Sequence, residues 1–450
     1  MTRTRTANAD SDARRDHLVE TTLDLLAIDT RNPPGGTREA IEWIERYVTA
    51  LGLTPVRITS DESNPNVVVT VPGERAWTLL YQGHVDTVPF DREAWSVDPL
   101  GERVGDRIYG RGATDMKGAV AAMLETLRTF ATADEKPPIT LQFAFVSDEE
   151  TGGDAGIDAV LETDAITADA AVVGETTSTR DRHSVAVADK GRVWLTLTAT
   201  GESAHGSRPM VGRNAVDRLY EVVTGCRETI TGLELSYPEA VDRIVDESIE
   251  YYEAHPAGRE LDPRELFDHP TVNLGRLDGG STVNSVPGSA TAEIDVRVTP
   301  GASAEGMFER FERCIRGRED VEIADVSFVN GTFVDPDHPI VRTVVETGRE
   351  VIGRRVLRHC ATGGGDAKKL RAAGIPAVEC AIGSDTAHAV DEYVPIDALE
   401  RTTEWYLRLP GALVDAGSDA VGGVAGGEDR DGGLADVDGD GGLADVDGDA

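Results

Sequence analysis

Between residues 66 and 173 strand-length apolar runs alternate with a helix-length segment, and the chain turns charged or polar soon after several of the runs. The runs are 66–71, Thr78-Leu79-Leu80-Tyr81, 139–146 and Ala170-Ala171-Val172-Val173. Between the second and third, Met116 to Phe130 carries Val120, Leu124 and Leu127 on one helical face. Such alternation leads to an α/β sandwich with a largely parallel sheet, because each helical crossover returns the chain to run in the same direction. Upstream, residues 14–51 read as two helices split by the turn Asn32-Pro33-Pro34-Gly35-Gly36, the second with Ile41, Ile44, Val48 and Leu51 at helical spacing.

The rhythm changes once. From about Ser184 the order becomes strand 192–200, helix 214–230, strands 271–277 and 289–298, helix 304–316 and strand 321–329. That is the βαββαβ, ferredoxin-like pattern, with 232–270 as an acidic, partly helical excursion. The α/β rhythm resumes at Val341 and closes near Leu409. The expected organisation is a larger domain in two parts, 1–183 and 332–410, an inserted domain at 184–331 and a tail at 411–450. A chain of 450 residues suits two cores better than one.

The tail repeats Gly-Gly-Leu-Ala-Asp-Val-Asp-Gly-Asp at 432–440 and 441–449. It has too little apolar area to offset its ordering entropy, so disorder is expected. Asp436-Val437-Asp438-Gly439-Asp440-Gly441 with Asp447 mimics the spacing of a calcium loop. The repeat produces that spacing unaided and no helices flank it, so a hydrating tail is the expectation.

Acids outnumber bases 81 to 44, a formal charge of −37. Residues 411–450 hold ten Asp and one Glu against one Arg, so −27 remains on the rest of the chain. The acidity is global, as on a halophilic surface that stays hydrated in salt; an ordinary acidic cytosolic protein is the plainer alternative. Either way, nucleic acid and anionic membrane are poor partners. Cys226, Cys314, Cys360 and Cys380 form no Cys-x-x-Cys pair, the first fifteen residues lack an apolar core, and no eighteen apolar residues run together. A cytoplasmic protein is expected.

The chemistry sits in five segments: Gly83-His84-Val85-Asp86, Ala113-Thr114-Asp115-Met116-Lys117, Ser147-Asp148-Glu149-Glu150, Val173-Gly174-Glu175 and Ala387-His388-Ala389-Val390-Asp391-Glu392. Singly, each has a plain reading: His-x-Asp on a surface, Asp115 as a helix cap, the acidic triplet as a solvated run. Yet four of them follow apolar strand-like runs, where α/β folds hold ligands, and Asp115 at a helix start can face the same rim. Two histidines and three or more carboxylates converging there suit a pair of divalent ions, most simply zinc. His84 and Asp86, two apart at a strand end, place the carboxylate to brace the imidazole.

Gly-His-Val-Asp-Thr-Val-Pro at 83–89, Gly-Arg-Gly-Ala-Thr-Asp-Met-Lys-Gly at 110–118, Asp-Glu-Glu-Thr-Gly-Gly at 148–153 and Val-Gly-Glu-Thr-Thr at 173–177 resemble the signature blocks of one family. It is the family of acetylornithine deacetylase, succinyl-diaminopimelate desuccinylase, carboxypeptidase G and aminoacylase, which are co-catalytic zinc hydrolases. The similarity covers about residues 14–408. It implies a zinc-exopeptidase-like catalytic domain and an inserted lid through which two chains dimerise.

Residue by residue, the resemblance makes His84 and Glu175 ligands of one metal, Glu150 and His388 ligands of the other, and Asp115 the bridge. Asp86 would orient His84, and Glu149 would be the general base. In the lid, His205 would polarise the substrate carbonyl from the partner subunit, while Asn284 and Arg297 would hold the substrate, Arg297 by its carboxylate. Gly364, in the turn 362–367, would lie on the substrate side. Thr176 stands where many relatives have Pro, next to the ligand and not in its place.

The implied cofactors are two zinc ions, with cobalt or manganese as substitutes. The implied substrate is a small N-acyl amino acid, such as acetylornithine or succinyl-diaminopimelate, with a dipeptidase or carboxypeptidase acting on short peptides as the alternative. An inactive metal-binding module is a third reading; metal content and turnover separate it from the enzymes.

Overall fold

The computed structural model describes residues 2–254 and 262–416. These divide into two compact units: 2–187, 334–359 and 365–416 in the first, 188–254, 262–333 and 360–364 in the second. The chain opens with α1 (Thr2–Ala27), α2 (Arg38–Ala50), β1 (Val56–Ile58), β2 (Asn66–Val71), β3 (Thr78–His84), β4 (Glu102–Val104) and β5 (Arg107–Tyr109). There follow α3 (Lys117–Ala131), β6 (Thr140–Val146), α4 (Ile157–Leu161), β7 (Ala170–Val173) and β8 (Ser184–Asp189). The inserted part runs β9 (Gly191–Thr200), α5 (Ala215–Thr231), α6 (Glu239–Glu253), α7 (Glu265–Asp268), β10 (Thr271–Gly279), β11 (Ser289–Val298), α8 (Ala304–Ile315), β12 (Val321–Val329) and β13 (Thr332–Phe333). The chain closes with α9 (Pro339–Ile352), β14 (Leu357–Ala361), α10 (Asp366–Ala372), β15 (Ala377–Glu379), β16 (Tyr393–Pro395) and α11 (Ile396–Asp415).

In the first unit the main sheet has the order β1-β2-β6-β3-β7-β15-β8, with β14 also pairing β8. The central strands β6, β3, β7 and β15 are parallel; β1 and β2, β2 and β6, and β15 and β8 pair antiparallel. The expected largely parallel sheet is therefore parallel at its centre and mixed at its flanks. The link from β1 to β2 is too short for a crossover and long enough for an antiparallel return. Every residue of β3 is buried, as covered parallel strands require. Because β3, β6 and β7 run the same way, their carboxyl ends open on one rim, which receives His84 and the loops after Val146 and Val173.

Helix α3 is buried from Lys117 through Leu127. A Cβ on Gly118 would meet the Ala113 carbonyl oxygen at 2.3 Å, so only glycine lets the helix start press against the Asp115 turn. A small sheet, β16-β5-β4, joins residues 393–395 to 107–109. Helix α11 continues to Asp415, past the expected boundary at 410, because Leu409 and Leu413 extend its buried stripe. The repeats and the calcium-like spacing lie outside the described residues. Among the described residues, no helix is long and apolar enough to cross a membrane.

The second unit is built on a four-stranded antiparallel sheet in the order β10-β11-β9-β12. Along β9, Val193, Leu195, Leu197 and Ala199 join α5 and α8 in one core, while Arg192, Trp194, Thr196 and Thr198 alternate onto the opposite face. The excursion forms α6 and α7 and buries Phe267, whose carbonyl accepts the Thr299 hydroxyl at 2.6 Å.

Candidate active site

His84 ends β3, and its Nε2 lies 3.3 Å from Asp115 Oδ1 and 3.3 Å from Glu175 Oε1. His388 Nε2 lies 3.1 Å from Asp115 Oδ2 and 3.1 Å from Glu150 Oε2. Asp115 thus turns one oxygen to each imidazole. Two ligand groups result, His84–Asp115–Glu175 and Asp115–Glu150–His388, sharing one carboxylate. His388 adopts a left-handed φ of 62°, a conformation that costs a non-glycine residue about 1 kcal/mol and that this turn sustains.

His84 Nε2 and Glu150 Oε1 are buried and make no hydrogen bond. A buried polar atom left so costs about 1–3 kcal/mol unless something else satisfies it. Both face the ligand groups, and the imidazole and carboxylate donors match borderline divalent ions. The residues fit two metal ions of the zinc type.

Glu149 stands apart. Its Oε2 is 4.0 Å from His84 Nε2, yet it belongs to neither ligand group. A Cβ on Gly365 would approach Glu149 Oε1 to 3.1 Å, so glycine there leaves the carboxylate its room. Burial is the main reason the Glu149 carboxyl is held well above its usual range; His84 works against this, and Glu175, Asp366 and Asp115 add to it. Glu175 is pushed up to about 7 by burial, with Asp115 adding to it. The Asp115 and Glu150 carboxylates, which accept hydrogen bonds from His388, lift its pKa to about 10. For Asp115, burial is outweighed by the two imidazoles, which hold its carboxyl far below the usual range.

Asp86 meets His84 through its backbone as well as its side chain. His84 Nδ1 bonds the Asp86 backbone carbonyl at 3.0 Å, while the carboxylate is 3.5 Å away. The carboxylate also accepts the backbone N–H groups of Glu149 at 3.2 Å and Glu150 at 3.1 Å, and the Asn32 amide at 3.2 Å. Asn32 also donates to Asp148 Oδ1 at 2.8 Å, so these side chains set the loop that carries Glu149 and Glu150.

Four supporting residues escaped the sequence reading. Asn32 left no signal beyond a turn. Glu392 lay in the His388 segment and could have been found there. Arg111 pairs with Glu392 and donates to the His388 carbonyl at 3.1 Å. Lys117 is fully buried, donates to the carbonyls of Leu25 at 3.0 Å and Ile28 at 2.8 Å, and is lowered to about 7 by burial.

The lid candidates lie in the second unit. The Ser207 backbone N–H donates to His205 Nδ1 at 3.2 Å, which leaves the His205 proton on Nε2 as an exposed donor. His205 bridges Ser285, and the Asn284 carbonyl accepts Gly206 N–H at 2.7 Å, so His205 and Asn284 are neighbours. Arg297 donates its Nε to Asp295 at 2.8 and 3.1 Å. Gly364 is exposed at the end of the short segment 360–364.

An α/β fold with two ligand groups sharing a carboxylate at the strand ends defines a zinc-dependent hydrolase of the metallopeptidase and amidohydrolase class. The chain belongs to peptidase family M20/M25/M40, whose model matches residues 80–411. It is 26% identical over 417 residues to the acetylornithine deacetylase of Proteus mirabilis, covering 90% of this chain and 92% of the relative. It is 27% identical over 404 residues to succinyl-diaminopimelate desuccinylase 2 of a Ruegeria species, covering 87% and 93%. The fold is similar to the M20 metallo-carboxypeptidase Sso-CP2 of Sulfolobus solfataricus, with a TM-score of 0.73, 19% identity and coverage of 87% of this chain and 98% of that one.

Proposed function

We propose that the chain is a deacylase that hydrolyses the amide bond of N-acyl amino acids, of the acetylornithine or succinyl-diaminopimelate kind. The observation that carries this reading is the split of Asp115, one oxygen to each His-carboxylate group, with the Glu149 carboxylate beside them and in neither. His84, Glu175, Asp115, Glu150 and His388 would hold a pair of divalent ions, which would supply Lewis acidity and lower the pKa of water toward about 7.

The protein's own residues do the rest. Glu149 takes the proton of the attacking water and returns it to the amide nitrogen as the C–N bond breaks. His205, protonated on Nε2, donates to the carbonyl oxygen as negative charge develops there. Arg297 pairs with the substrate carboxylate, and Asn284 and Gly364 line the substrate side.

The lid arrangement supports a homodimer in which His205 serves the partner's site. His205 and Asn284 stand beyond the start of β11, level with Ser289, whereas Arg297 is eight residues on. At about 3.4 Å per residue the two stand well apart along the strand, which supports His205 and Arg297 of one lid serving different sites. The strand order β10-β11-β9-β12 with α5 and α8 on one face supports a ferredoxin-like lid. The charge of −37 supports a halophilic protein with no nucleic-acid or anionic-membrane partner.

The test is a substrate panel in molar salt with zinc or cobalt: N-acetylornithine, N-succinyl-diaminopimelate, N-acyl neutral amino acids and dipeptides. Acylated amino acids should turn over ahead of dipeptides. Faster cleavage of dipeptides would replace the deacylase reading with a peptidase one.

A further inference from the structure

Helix α6 lies in the excursion that interrupts the inserted βαββαβ order, and it buries Val241, Ile244, Val245, Ser248 and Tyr251 at helical spacing. Ser248 places a hydroxyl in the middle of that stripe, where it is destabilising unless hydrogen-bonded. It donates to the Ile244 carbonyl at 2.6 Å and accepts the backbone N–H of Cys360 at 2.9 Å. One turn on, Tyr252 donates its hydroxyl to the Cys360 carbonyl at 3.2 Å, and its oxygen accepts from the backbone N–H and the hydroxyl of Thr362. Two side chains of α6 thus hold both backbone groups of Cys360 and reach two residues further. The excursion is itself pinned beside β9 and β11: the Phe267 carbonyl accepts the Thr299 hydroxyl, and the Leu266 carbonyl accepts the Lys190 ammonium.

The segment after Cys360 needs such an anchor. Residues 363–365 are three glycines, Gly363 and Gly364 are exposed, and a Cβ on Gly363 would meet nothing within 4 Å. A glycine run gives up the most conformational entropy on being fixed, so it must be held from its ends. At the downstream end the Asp366 carboxylate accepts the Gln82 amide at 2.6 Å and α10 begins. Just before it, a Cβ on Gly365 would come within 3.1 Å of Glu149 Oε1, so the turn runs beside that carboxylate. We propose that Ser248 and Tyr252 are positioning residues that set the glycine turn 362–365 for substrate binding. The turn's place on the substrate side rests on the deacylase reading, whereas its attachment to α6 does not. With the upstream anchor loosened, the turn samples more shapes and the substrate must order it on binding, which weakens binding without touching the bond-breaking step.

Ser248→Ala and Tyr252→Phe are made in the full-length, zinc-loaded protein. Residue-resolved hydrogen exchange should show the Cys360 amide exchanging about 5- to 10-fold faster in Ser248→Ala, and the Thr362 amide doing so in Tyr252→Phe. With an N-acyl amino acid, KM should rise about 5- to 10-fold in either variant, while kcat stays within about twofold and metal content per chain matches the parent's. A helix that merely steadies the fold would lower the melting temperature without this split. KM values like the parent's in both variants, or unchanged exchange at Cys360 and Thr362, overturn the proposal. A parent that cleaves dipeptides but no acylated amino acid refutes the deacylase reading alone, and the same KM comparison with the dipeptide then decides the role of the turn.

Discussion

Glu392 holds Asp115 by its backbone: Glu392 Oε1 accepts the N–H of Asp115 at 3.1 Å and that of Thr114 at 2.9 Å. Its other oxygen pairs with buried Arg111, which in turn donates to the His388 carbonyl at 3.1 Å. One buried ion pair therefore ties the shared carboxylate to a ligand far away in sequence. Removing the acid leaves two N–H groups and a buried guanidinium unpaired. Glu392→Ala should cost about 3–5 kcal/mol of stability and weaken metal binding by about 10- to 100-fold. Chemical denaturation and chelator competition measure the two effects; a variant that keeps both stability and affinity would show that the clamp is not needed.

Glu149 lies beside the ligand groups without joining them. Glu149→Gln should lower kcat by about 10²- to 10⁴-fold and leave metal content per chain at the parent's level. Elemental analysis alongside single-substrate kinetics checks this. Loss of a metal ion with the activity would move Glu149 into the ligand set.

His205 and Arg297 sit at opposite ends of one lid. Mixing inactive His205→Ala with inactive Glu149→Gln chains, under conditions that exchange subunits, should restore activity in the mixed dimer. One of its two sites then has both residues intact. A fully exchanged mixture without activity would place His205 in its own chain's site or remove it from the reaction.

His359 is 5% exposed, and its pKa falls to about 3, chiefly through burial, with Arg182 adding to the shift. The unfolded chain takes up this proton near the ordinary histidine pKa of about 6.5, and the folded chain does not until about 3. The unfolded state therefore binds more protons in that window, and stability falls as pH drops through it, by about 1.4 kcal/mol per pH unit from this site. Between pH 7 and pH 5 the parent should lose about 2 kcal/mol more than His359→Asn. Urea unfolding of both proteins at the two pH values gives the difference directly, and equal losses would show that His359 protonates in the fold.

Much of the site was legible without coordinates. The apolar runs that became β2, β3, β6 and β7 announce themselves by composition, and a His or an acid at or after such a run marks a strand-end ligand. That is how His84, Glu149, Glu150 and Glu175 could be picked out, and how a βαββαβ order was read for the insertion. Periodicity is a local property: it reports which face of an element is buried and where the element ends.

Partners and side-chain directions are not local, and there the tertiary structure decided. Nothing in residues 107–109 announces that they pair with 393–395, a contact that helps carry the His388 segment to the Asp115 turn. The spacing of His84 and Asp86 leads to a carboxylate beside the imidazole, but that the same carboxylate also takes the backbone N–H groups of Glu149 and Glu150 is set by the fold. Helix α11 outran the expected boundary at 410 because Leu413 found a buried place. Arg192 and Arg297 became neighbours only through strand register, which depends on the whole sheet. The sequence by itself determined which residues could ligate and which segments would be strands or helices, since those follow from side-chain chemistry and local period. Only the tertiary structure decided which carboxylate organises a loop and which arginines face each other, because long-range packing sets those directions.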